Sequence, residues 1–188
     1  EDGIRDSSTS RGLGDVYKRQ QYCISLACVV KGQTQHAVII DPTRREEFSA
    51  SRGKGAELNG ERIRASTRNS LKDALIGNTS HVNDSQNYTF ENISTFRALY
   101  KHSLTIRRSG CSALDLAYVA AGRLDAFWAN GLGVWDIAAG MLIAEEAGAL
   151  TSDFLGNPDY KKSDHYLCAT PKCFKQMLEA IKPNFKAN

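Results

Sequence analysis

The chain has 188 residues, of which 41% are apolar and 24% charged, with a formal net charge of +3. That length holds one domain with a sizeable core, and the composition is that of an ordinary globular protein rather than a low-complexity chain. No apolar run approaches the ~18 residues that span a membrane, no apolar leader marks a signal peptide, and the charge is too small to argue for nucleic acid by itself.

Residues 1–20 differ from the rest. Serine, glycine and balanced charges dominate there, and Ile4, Leu13, Val16 and Tyr17 follow neither a helical nor a strand period. The segment resembles translated adapter sequence, so 1–20 is set apart as a non-native or disordered prefix. From Gln21 onward the chain reads as structured. Tyr22–Val30 and Gln35–Ile40 are β-rich runs around the turn-like Lys31-Gly32-Gln33-Thr34, a hairpin signal. Asp41-Pro42 opens a turn, and Glu46–Ser51 alternates as a third strand. Arg52–Asn59 is glycine-rich. It lacks the lysine followed by Ser or Thr that a phosphate-binding P-loop requires, so it reads as a tight turn. Arg62–Arg64 reads as a short edge strand and Ala74–Thr79 as a longer one.

Asn83–His102 carries Tyr88, Phe90, Ile93, Phe96, Leu99 and Tyr100 at near-helical spacing, which predicts an amphipathic helix. Leu104–Arg108 follows as a strand. Ser112–Ala121 is a helix rich in small residues, with Ser112 and Asp115 spaced as a loose capping box. Leu124–Trp128 is a strand that leads through the glycine-rich turn Asn130–Gly133 into a helix from Val134. On it Ala138, Met141, Leu142 and Ala147 recur at the spacing of a buried face, and Gly148 stands at its end. Leu150–Phe154 and Tyr166–Ala169 are short strands. Pro171 suits the first turn of a last helix that runs to Ile181. Strands first, then strands alternating with helices, predict a layered α/β or α+β domain over 21–188.

Five cysteines, Cys23, Cys28, Cys111, Cys168 and Cys173, have no zinc-site spacing and read as reduced thiols of a cytoplasmic protein. The residue of most interest is Asp136, at the start of the helix after the glycine-rich turn. A carboxylate there is either a cap for open backbone N–H groups or a ligand for a hard dication that holds a phosphate beside the positive helix end. Spacing alone leaves both open. The remaining polar candidates read more simply. Arg107, Arg108, Glu145 and Glu146 are taken as solvated surface. So are the six lysines of 161–188, set against Asp164 and Glu179.

Several ordered motifs narrow the choice. Trp135-Asp136-Ile137-Ala138-Ala139-Gly140 with Glu146-Ala147-Gly148 resembles the C-terminal signature of the inositol monophosphatase family. Ala50–Ala56, Leu58-Asn59-Gly60 and Arg108–Gly122 look like further family segments, in family order. The bacterial inositol-1-monophosphatases of the extragenic-suppressor type look nearest. The resemblance implies the layered alternating helix/sheet sandwich of the sugar-phosphatase superfamily, with 21–188 as its C-terminal two-thirds. It implies Mg²⁺-dependent hydrolysis of inositol monophosphate or a related small phosphate monoester. Asp136 would be a metal ligand, and Gly110, Cys111 and Ser112 would lie against the sugar. It also implies a homodimer in the intact protein, a phosphorylated sugar or polyol as substrate and no membrane. As an alternative, non-catalytic role it implies transcription antitermination factors as partners.

Two departures from the family pattern matter. Relatives often carry a glutamate six residues before the tryptophan; here that position is Ala129, and Asn130 beside it is the candidate replacement contact. This weakens inositol as the substrate. The family's upstream Glu-Glu and Asp-Pro-Ile-Asp-Gly-Thr segments have no counterpart in the sequence. The catalytic groups are therefore expected outside this chain, the 188 residues alone are expected to be inactive, and a sheet face is expected to be left open.

Overall fold

The computed structural model describes residues 21–80 and 86–184. The 1–20 prefix and the start of the predicted Asn83–His102 helix fall outside that range.

Two five-stranded sheets form the frame. Sheet one is an antiparallel meander of β1 (Ile24–Val30), β2 (Gln33–Asp41), β3 (Glu46–Ser51), β4 (Gly55–Leu58) and β5 (Glu61–Ile63), in chain order. Two of its turns are two-residue hairpins. Lys31 and Gly32 join β1 to β2 with φ of 50° and 77°, and Asn59 and Gly60 join β4 to β5 with φ of 51° and 82°. Positive φ at both central residues matches the right-handed strand twist. The stretch read as one glycine-rich turn is therefore half turn and half strand: Gly55–Leu58 pairs with both neighbours, burying Ala56.

Sheet two comprises β6 (Leu75–Ser80), β7 (Thr105–Arg107), β8 (Ala126–Asn130), β9 (Leu150–Ser152) and β10 (His165–Ala169), ordered β7-β6-β8-β10-β9. The β6 strand runs parallel to β7 and β8, and β10 is antiparallel to its neighbours. The β8 strand begins two residues later than the sequence suggests. Arg123 and Leu124 still donate their N–H groups to Tyr118 O after the helix has ended. Asn130 consequently closes the strand instead of opening the turn.

Four α-helices, with three single-turn 3-10 helices, complete the described structure: α1 (Gln86–His102), α2 (Ser112–Ala120), α3 (Val134–Glu146) and α4 (Pro171–Ile181). Two apolar cores define the layers. The first joins Ala37, Ile39 and Phe48 of sheet one to Leu116 of α2, Ile143 of α3, and Phe127 and Ala129 of sheet two. The second joins the opposite face of sheet two, through Ile76, Ala126, Trp128 and Leu167, to Leu99 of α1 and Cys173, Met177 and Ile181 of α4. The order is sheet, helix pair, sheet, helix pair, the expected alternating sandwich. Because α3 lies between two sheets, residues 137–144 are buried all round rather than along one stripe. Gly140 allows this packing: a Cβ there would stand 2.6 Å from Leu116 Cβ on α2.

Candidate functional site

The starts of α2 and α3 meet at one end of the helix layer. Ser112, the first residue of α2, directs its hydroxyl at Asp136 O, 3.4 Å away. Asp136 lies in the first turn of α3, half-buried, and its Oδ2 accepts the Gly133 N–H at 2.9 Å. That is one half of a capping box, so the cap reading describes the geometry of this oxygen. Gly133 is required locally. A Cβ on it would lie 2.2 Å from the indole of Trp135, whose ring folds back over the turn while remaining 76% exposed. The turn itself is pinned by Gly131 N–H donating to Asp164 O and by Tyr166 hydroxyl donating to Leu132 O.

At the α2 start, Gly110 has φ 86° and Cys111 is the N-cap residue, with no side-chain cap bond. The Cys111 N–H donates to Ser109 Oγ at 3.1 Å. The predicted Ser112–Asp115 capping box does not form. Asp115 points away from the helix start into sheet two, where the residue is 2% exposed and its side chain faces Gly77. Burial raises its pKa to about 7, while the nearby Ser109 and Thr79 hydroxyls pull the other way. A small-residue helix on a sheet leaves room only over glycine, and Gly77 provides it. Spacing singled Asp115 out as a cap; its inward direction is set by packing.

The structure brings Gly110, Cys111, Ser112 and Asp136 into one neighbourhood but does not bring Asn130 to it. Along β8, Phe127 and Ala129 face the α2/α3 layer, whereas Ala126 and Trp128 face the second core. Strand alternation gives Asn130 the direction of Trp128. It is fully buried there, in register with Ser80 and His165, and its side-chain oxygen and nitrogen have no hydrogen-bond partner among the described residues. The position that faces the helix starts is Ala129, whose methyl offers no hydrogen bond.

The glycine-rich loop is not an open phosphate cradle. Glu146 at the end of α3 accepts the N–H groups of Gly53 and Gly55 at 2.7 and 2.8 Å. Glu145 takes Arg52, Thr151 and Tyr160. Both glutamates, read as solvated surface, instead tie α3 to the sheets. Their distance in sequence from the loop, more than ninety positions, hides this. Arg107 and Arg108 are exposed at edge strand β7.

A magnesium site draws on several oxygens in near-octahedral array. Among the described residues no three His, Cys, Asp or Glu side chains group closely enough to hold a metal. Asp136 offers one carboxylate. The described residues therefore do not build a magnesium site by themselves, and no hydrolytic step follows from them alone. None of the described helices is long and apolar enough to cross a membrane.

Comparison with known proteins gives this geometry a context. The chain is 49% identical over 164 residues to a Pseudomonas aeruginosa protein named Nus factor SuhB, covering 87% of this chain and 60% of that one. The Escherichia coli K12 protein of the same name is 43% identical over 161 residues, covering 86% of this chain and 60% of the relative. Among solved structures, inositol monophosphatase from Anabaena superposes with a TM-score of 0.84 at 29% identity, over 89% of this chain and 66% of that one. An extragenic suppressor protein from Bartonella henselae gives 0.81 at 34% identity, over 87% and 62%. The chain thus spans about 60% of the length of these curated relatives. The model of the inositol monophosphatase family matches residues 14–184, a span that includes the last residues of the segment set apart as a prefix. On sequence and fold together, the chain belongs to the inositol monophosphatase family.

Proposed function

We propose that the complete protein is a Mg²⁺-dependent phosphatase of inositol monophosphate or a related small phosphate monoester. Asp136 contributes one metal ligand, and the Gly110–Ser112 start of α2 lies against the sugar. One observation carries this reading: two helix starts of family-matching sequence converge, with Ser112 directed at the backbone of Asp136. Two helix N-termini side by side favour an anion bound near them. Ala129 supports a substrate other than inositol itself, because the methyl cannot replace a carboxylate that reads hydroxyls. A homodimer fits the same family reading.

The test is phosphate release from a panel of sugar, polyol and nucleoside monophosphates, with Mg²⁺ or EDTA. The complete protein is expected to hydrolyse at least one of them only with Mg²⁺, and Asp136→Asn to lower kcat/KM by a factor of about 100 or more. The 188-residue chain is expected to be inactive. Unchanged turnover after Asp136→Asn sinks the assignment.

A second reading has its own support. Relatives carry the name Nus factor, and Arg107 and Arg108 stand exposed beside an open sheet edge. Here the protein is a non-catalytic partner in transcription antitermination. Retention of elongation factors by wild type, lost in the Arg107→Ala/Arg108→Ala double variant but kept by Asp136→Asn, is the expected pattern. No retention by the wild type removes this reading.

A further inference from the structure

Cys23 and Cys111 are 88 positions apart in sequence, yet their Sγ atoms lie 3.5 Å from each other. Cys23 immediately precedes β1, and Cys111 caps α2. Both are part-buried and pack against the first core. They are the two cysteines the structure joins: Cys28 is exposed on β1, while Cys168 and Cys173 are buried in separate cores.

We propose that Cys23 and Cys111 form a reversible disulfide that ties the first strand of sheet one to the start of α2. A disulfide needs sulfurs at ~2.05 Å and side-chain bonds directed toward each other. The sulfurs are already within 3.5 Å, so closing to bonding distance takes a movement of about 1.5 Å, and partial exposure admits a small oxidant. The oxidant class is a hydroperoxide. The Cys111 sulfur attacks the distal peroxide oxygen and the O–O bond breaks. A sulfenic acid forms on Cys111, and the rest of the hydroperoxide leaves as water or an alcohol. The Cys23 sulfur then attacks the sulfenic sulfur. The S–O bond breaks, water departs with the Cys23 proton, and the S–S bond forms. Two thiols have lost two electrons to one peroxide. The order follows from position: Cys111 stands at the start of α2, where the helix dipole favours a thiolate, and Cys23 lies outside any helix. The sulfur–sulfur contact, in which either thiol can donate, acts in the same direction, lowering Cys111 against burial and raising Cys23. The more acidic thiol forms thiolate first and is oxidised first. The carboxylates of Asp41 and Asp115 act against thiolate on Cys111, which tempers the effect without reversing it.

The inference is independent of the phosphatase reading, because its readout is covalent. The full 188-residue chain is treated with a small excess of hydrogen peroxide at low protein concentration, alkylated, digested and analysed by mass spectrometry. The expected result is loss of two hydrogens from the intact chain, a joined peptide pair containing Cys23 and Cys111, and full reversal by dithiothreitol. In Cys23→Ser, dimedone is expected to trap a sulfenic acid on Cys111 that is absent from the wild type. Joined peptides that contain Cys28 instead, or Cys111 carried to sulfinic acid while Cys23 stays alkylatable in the wild-type chain, overturn the proposal.

Discussion

The two sheets have the same number of strands but differ in how their residues are covered. Every residue of β8 in sheet two is buried, whereas six of the seven residues of β1 in sheet one are exposed and the other is half-buried. Sheet two has helices on both faces, and its central strand is apolar from Ala126 to Ala129 before it ends in the buried Asn130, as strands between two layers mostly are. Among the described residues, sheet one is helix-covered on its inner face only, where Ala37, Ile39, Phe48 and Ala50 pack against the helix layer. Its outer face nevertheless carries Ile24, Leu26 and Val30 on β1, with Val38 and Ile40 opposite them on β2. Among the described residues the β1 side of this apolar row is exposed. The candidate site belongs to the doubly covered half: α2 and α3 are the layer that both sheets clamp, and their starts are fixed from two sides.

The sharpest way to break this contrast is Trp128→Ala. Trp128 is 1% exposed, packs in the second core and lies 6.0 Å from the Phe96 ring, centroid to centroid. The loss is expected to be about 4 kcal/mol of unfolding free energy, from transfer plus cavity, read as a lower urea midpoint. A cost below about 1 kcal/mol would mean that α1 and α4 do not close over sheet two.

Asp115 tests the same layer through pH. Its pKa in the folded chain is about 7 because burial disfavours the charge, against the ordinary carboxyl value near 4 in the unfolded chain. With the folded value raised, the folded state holds the proton more tightly. Its stabilising effect is complete below about pH 4 and is lost as pH rises through about 7. Wild type should thus lose roughly 3 kcal/mol between pH 4 and pH 8 from this group. Asp115→Asn should flatten that slope, measured by urea melts across the range. A wild-type slope retained in the variant would assign it to other groups.

How much of this was legible in the sequence depends on where each signal resides. Elements with local signals were legible: the β1–β2 hairpin, read with a turn two residues longer than the observed Lys31-Gly32, the helix that starts at Pro171, and the spacing of Ala138, Met141 and Leu142 on α3 with Ala147 just past its end, all of them buried. The β4–β5 hairpin was equally local, since Asn59-Gly60 is a strong two-residue turn signal, but the glycines of Arg52–Gly60 obscured it. What could not be read was anything set by contact across the fold. The inward turn of Asp115 depends on Gly77, thirty-eight positions earlier. The capture of the Gly53 and Gly55 amides depends on Glu146, and the Cys23–Cys111 contact on two elements from different layers. Asn130 was placed by adjacency to the expected glutamate position. A neighbouring residue on a strand faces the other way, so sequence proximity misled where the period of two decides.

The smallest expected effect sharpens the comparison from the other side. Leu26 is 60% exposed at the middle of β1 and makes the outer apolar row with Val38 opposite. Side chains this open lose little on truncation, so Leu26→Ala should shift stability by no more than about 0.5 kcal/mol, an order of magnitude below Trp128→Ala. Static light scattering should fall in the Leu26→Lys variant, because a charge interrupts a contiguous apolar face that favours self-association. If Leu26→Ala instead cost more than about 1.5 kcal/mol, the outer face of sheet one would be covered in solution. The two sheets would then differ in what covers them rather than in whether they are covered.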